Sequence, residues 1–160
     1  MNLQAYLQSA GHPSEALEQL QKVLEIDEHQ VVAMVAMSMI YADRGDLAQA
    51  LTVARRAHAL APWYLDAVAV LAALLRRSGE GGAAMPLERL LDAAQRIGDA
   101  PAHAIFHLLC GHVDQGADWA VKALEERDLS ISIYLRFVVS KDLKASPRWP
   151  QIAKQLNLEG

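Results

Sequence analysis

Residues 31–62 read VVAMVAMSMIYADRGDLAQALTVARRAHALAP, an apolar run and an apolar-periodic run separated by Gly45 and closed before Pro62. A glycine just after a helix takes the left-handed conformation of a C-terminal cap at least cost, because it has no side chain. A proline supplies no backbone donor and favours an extended residue before it, so the helix ending HALA stops there. The segment is a helical hairpin of about the length of one repeat unit.

The same punctuation recurs outward from this hairpin. Gly11, Gly45 and Gly79 stand 34 residues apart, and five residues after each comes Ala16, Ala50 or Ala84. The segments GHPSEALEQLQKVLEIDE, GDLAQALTVARRAHALAP and GEGGAAMPLERLLDAAQR each place a turn glycine before an apolar-periodic helix. The alanine faces the partner helix, where a small residue lets two backbones approach closely.

Composition agrees with a helical repeat. The chain has 160 residues, 52% of them apolar and 6% aromatic, with Ala and Leu dominant. That mix favours helices and close helix packing over strands, and it argues against disorder. The formal charge of -4 arises from interspersed acidic and basic residues, and no basic run is present to neutralise a phosphate backbone. Nucleic acid is therefore excluded as the expected partner. Cys110 is the single cysteine, and the N-terminal MNLQAYLQSAGHPSEALEQ lacks the basic start and apolar core of a signal peptide, so a reducing, cytoplasmic setting is expected. The most apolar stretches, Val31 to Ala42 and Ala67 to Leu75, are too short for a membrane span and read as buried helices.

In the second unit Met34, Met37, Ser38, Tyr41, Gly45, Ala50, Ala54, Ala57 and Pro62 fall on the positions of a 34-residue motif. The chain here resembles the tetratricopeptide repeat family. The resemblance implies an all-α, right-handed superhelix of about four helical hairpins with a C-terminal capping helix. It divides the single domain 1–160 into repeats of about 1–30, 31–64, 65–98 and 99–128 and a cap 129–160. The first unit begins within its first helix, and Glu28 stands where the closing proline belongs. The third departs further, with Glu88 and Arg96 at apolar and proline positions. Pro86 lies within its second helix, which is expected to start late or kink. The fourth keeps Ala104, Gly111, Ala123 and Asp128, with Gly116 at the small-residue site. Beyond it a helix is expected around Ile131 to Val139, then a Ser-Pro turn and a short helix from Pro150 to Leu156. The endings KALEERD and LKASPRWPQIAKQLNL also resemble the C-terminal ends of such regions in large bacterial regulators.

The resemblance implies that the first helix of each unit lines an inner wall that binds a peptide or helix. Position by position, that wall comprises Val32, Val35, Met39 and Asp43 from the second unit, and Asp66, Ala69, Val70, Ala73, Arg76 and Arg77 from the third. Met39 beside Val35 suits an apolar side chain, and Arg76 and Arg77 suit a carboxylate at the rim. Met34 and Met37 fall on packing positions. The expected function is thus a non-enzymatic protein-interaction scaffold, in a bacterial regulatory system, with a protein or peptide partner and no cofactor.

Two alternatives stand beside it. His103 and His107 are four residues apart and Cys110 is three further on, so one helical face brings two imidazoles and a thiol toward one metal ion, with His112 in the next turn. Packing is the competing account of these residues, His107 lying where the motif carries a buried tyrosine. The second alternative is a homo-oligomer, in which Leu3, Tyr6 and Leu7 of the truncated first unit cover themselves with another copy. No phosphate-binding glycine loop, HExxH motif or serine elbow is present, so catalysis has no identifiable residues. Trp63, Trp119 and Trp149 are read as anchors between units.

Overall fold

The computed structural model describes residues 13–94, 98–137 and 141–157, which form helices and turns and contain no strand. Among these residues there are ten α-helices: α1 Pro13–Ile26, α2 Val31–Asp43, α3 Leu47–Leu60, α4 Leu65–Arg77, α5 Gly81–Ala93, α6 Ala100–Leu109, α7 Val113–Glu125, α8 Leu129–Phe137, α9 Lys141–Ala145 and α10 Trp149–Gln155. None of them is long and apolar enough to cross a membrane.

The turn glycine does what its position requires. At the end of α2, Gly45 takes φ 80°, its N–H donates to the Ala42 carbonyl at 3.0 Å, and the Asp46 N–H reaches back to the Tyr41 carbonyl at 2.9 Å. This paired bonding satisfies two carbonyls that the helix end leaves without intrahelical donors. Asp46 then caps α3, its carboxylate accepting from the Gln49 N–H at 3.2 Å. The same pair of backbone bonds closes α4 at Gly79 and Glu80, and α6 at Gly111 and His112. It closes α7 as well, but there the left-handed residue is Arg127, at φ 57°.

The most extensive contacts join α2 to α3, α4 to α5 and α6 to α7; α4 also packs on α2, α3 and α6. Ala50 and Ala84, five residues past their glycines, are fully buried, as is Ala16. At the equivalent place in α7, a Cβ on Gly116 would lie 2.6 Å from Leu108 Cγ, so α6 and α7 approach more closely than a methyl group allows.

Helices α2 and α4 are apolar on nearly every side, and a helix without a polar face is stable only when surrounded. Ala33 through Ile40 and Asp66 through Leu75 are buried without interruption. Met34, Met39 and Ile40 are fully covered, and each such side chain contributes about 1.5–3 kcal/mol of transfer free energy. Ser38, equally buried, donates its hydroxyl to the Met34 carbonyl one turn back at 2.9 Å.

Two apolar cores result. The larger spans α1 to α6 and includes Tyr134 of α8; the smaller joins α6 and α7 to Ile131, Leu135, Leu143, Ile152 and Leu156. Helix α8 therefore belongs to both. It packs on α7 and returns against α2, while α9 and α10 lie on α7.

Three local expectations need correction. Helix α5 does not start late: it runs from Gly81 through Pro86. Pro86 removes the single N–H that would reach Gly82, and both residues are exposed, so the freed carbonyl is open to solvent. The C-terminal region holds an extra short helix, α9, before the turn at Ser146. Trp63 is 80% exposed and belongs to neither core, whereas Trp119 and Trp149 pack against the smaller one. Leu3, Tyr6, Leu7 and Arg96 lie outside the described residues.

Candidate functional site

Most of the residues expected to form an inner wall are buried. Val35, Met39, Ala69, Val70 and Ala73 have almost no accessible surface, and Asp66 is 5% exposed. In this arrangement the chain's own helices cover them, so they do not face open solvent. The physical cause is the nearly all-apolar character of α2 and α4: other helices pack on several of their sides, and α8 returns against α2. Val32 is half-buried, and Asp43, Arg76 and Arg77 are exposed.

Arg76 is also engaged. Its guanidinium grips the Glu88 carboxylate of α5 with two N–H groups, one bond measuring 2.7 Å. This bidentate pair ties the two helices of one hairpin at their solvent edge. Glu88, the departure from the motif in the third unit, is thereby explained as the counter-ion of Arg76.

What the structure does assemble is a polar cluster around Asp66. Asp66 sits in the first turn of α4, where a helix N-terminus favours a carboxylate. Its Oδ2 accepts the Tyr64 hydroxyl at 2.8 Å and the Tyr134 hydroxyl at 3.3 Å, and the two phenol oxygens are 3.2 Å apart. Tyr134 is fully buried and comes from α8, 68 residues away in sequence. Burial lifts the Asp66 carboxyl to about 6; the Tyr64 bond opposes the rise and the charge of Asp128 adds to it. Burial and the Asp66 charge raise Tyr64 above the usual phenol range, so it stays protonated and donates.

Sequence reasoning placed Asp66 on the wall but did not find Tyr64 or Tyr134. One signal was available: an acidic residue inside the otherwise apolar run LDAVAVLAALL demands a donor. Nothing in the local text says that the donor comes from α8.

The histidine and cysteine set does not assemble around a metal. His103 turns its Nε2 to the Ala94 carbonyl at 2.9 Å and stacks on Trp119, ring centroids 4.3 Å apart. His107 and His112 face each other with Nδ1 atoms 3.2 Å apart, a hydrogen bond between two imidazoles. Burial, then the charges of His112 and His103, lower the pKa of His107, which favours the neutral ring. Burial pushes the Cys110 thiol up to about 11, away from the thiolate a metal needs. Among the described residues no three His, Cys, Asp or Glu side chains converge on a site for an ion.

Comparison with family models, with curated proteins and with solved structures finds no match for the chain.

Proposed function

We propose that the chain is a non-enzymatic protein-interaction scaffold of the tetratricopeptide kind, a right-handed superhelical stack of about four hairpins whose inner wall takes a helix or peptide. The setting that fits is a bacterial cytoplasmic regulatory system. The single observation that carries the reading is α8, which lies against α2 and buries Tyr134 on Asp66, so the wall is chemically able to hold a helix. The recurring left-handed turn residues and the buried small residues at Ala50, Ala84 and Gly116 support the repeat assignment.

The test uses the accessible edges of the wall, because substitution of Met39 would disrupt the core. Tagged full-length chain is used to capture partners, identified by mass spectrometry, and compared with Val32→Glu combined with Arg77→Glu. The expected result is loss of the wild-type partner with helicity and melting unchanged. Capture at the wild-type level by the double variant would remove the wall as the binding surface.

A further inference from the structure

Asp66 is the one charged side chain in the buried run from Asp66 to Leu75. A carboxylate in an apolar wall needs hydrogen-bond donors, and a phenol supplies an O–H on an apolar body without bringing a second charge to be desolvated. Tyr64 is a resident donor from the adjoining turn, whereas Tyr134 is delivered by α8. Ile131, Tyr134 and Leu135 of α8 are fully buried, and three features limit how firmly the rest of the helix is held. It is joined to α7 through Arg127, whose φ of 57° is unfavourable for a residue with a side chain. Its leading residue Leu129 is 77% exposed. Its start, Leu129-Ser130-Ile131-Ser132, alternates apolar and polar residues with period two, so its helicity depends on what it packs against.

We propose that α8 is a displaceable occupant of the inner wall, and that the partner taken in its place is a helix presenting a tyrosine hydroxyl to Asp66. This rests on the reading of the wall as a helix-binding surface and names the chemistry of its ligand. Occupancy is linked to protons. The titratable groups around Asp66 are Tyr64 in the turn before α4, Tyr134 on α8, Asp128 in the turn before α8 and Asp99 ahead of α6, all of them neutral or acidic. Docking of α8 adds to the burial that lifts Asp66 to about 6, so docking weakens as pH rises through that value.

Two measurements on the full-length chain test this. In the first, hydrogen exchange, corrected for the intrinsic pH dependence of amides, compares wild type with Tyr134→Phe, which keeps the ring and removes the hydroxyl. Protection of α8 is expected to fall about tenfold or more while α3 is unaffected, since a buried hydrogen bond to a charged group is lost. Wild-type α8 is expected to be less protected at pH 7.5 than at pH 5. Equal protection of α8 in both chains overturns the Tyr134 hydroxyl on Asp66 as what holds α8 in place.

In the second, a fluorescein-labelled peptide of residues 128–137, DLSISIYLRF, is titrated into the Tyr134→Ala chain, alongside peptides with Phe or Lys in place of the tyrosine. The tyrosine peptide is expected to bind about tenfold or more tightly than either. Equal binding of the phenylalanine peptide, tighter binding of the lysine peptide, or no binding overturns the assigned ligand. Should Tyr134→Ala fail to fold, the exchange result on Tyr134→Phe decides. Failure of both measurements, with capture still sensitive to Val32→Glu and Arg77→Glu, would remove the tyrosine helix and leave the wall reading standing.

Discussion

The front of the molecule, α2 to α5, and its back, α6 to α10, use the same turn but solve packing differently. In front, glycine ends α2 and α4, alanine sits at each hairpin contact, and α2 and α4 are covered by neighbouring helices of the stack. At the back, Gly116 replaces the contact alanine, Arg127 replaces the turn glycine, and the core is completed by Ile131, Leu135, Leu143, Ile152 and Leu156 from beyond the last hairpin. Local grammar is enough to build a hairpin. It does not decide what covers the hairpin, and at the back that cover comes from α8 to α10.

The strongest challenge to this contrast is removal of the bridge between the two regions. Tyr134→Ala deletes a fully buried ring, and urea unfolding followed by circular dichroism is expected to show a loss of about 3–5 kcal/mol. A loss below about 1 kcal/mol would mean that α8 does not tie the back to the front.

The next effect is on pH dependence. The Asp66 carboxyl is higher in the folded chain, at about 6, than its ordinary 3.8, so between those pH values the unfolded chain holds fewer protons than the folded one. Stability therefore falls as pH rises from about 4 to about 6 and is flat with respect to this group above that range. The loss is on the order of 2–3 kcal/mol. Urea midpoints measured from pH 4 to 7.5 should show this slope in the wild type and its absence in Asp66→Asn.

Smaller effects probe the two substituted positions directly. Gly116→Ala forces a methyl group into Leu108 and is expected to cost about 1–3 kcal/mol. The reverse exchange in front, Ala50→Gly, costs about 1 kcal/mol through backbone freedom in the unfolded chain. If Gly116→Ala were neutral in thermal melts, the closer approach of α6 and α7 would be refuted. Arg127→Gly relieves the left-handed conformation but adds unfolded-state entropy, for a net gain of up to about 1 kcal/mol.

Much of the fold was legible because its signals are local. Gly45, Gly79 and Ala50 report on their own backbone or on a helix a few residues away, and Pro62 follows immediately on a helix end, with α3 stopping at Leu60. The burial of Val35 and Met39 was legible too, though the family resemblance pointed elsewhere: VVAMVAMSMIYAD has no polar face to offer solvent. The continuation of α5 through Pro86 depended on a single hydrogen bond at an exposed position, an effect too small for a residue rule to weigh.

The amino-acid order thus settled the all-helical class, the hairpin turns and the small-residue contacts, since each is a property of residues within one or two helical turns or across one short loop. The docking of Tyr134 on Asp66, the pairing of Arg76 with Glu88 and the diversion of His103 to Ala94 and Trp119 were decided in three dimensions. Each joins side chains on different segments, where the free energy of a contact depends on what desolvates it and what competes for it, and spacing along the chain carries neither quantity.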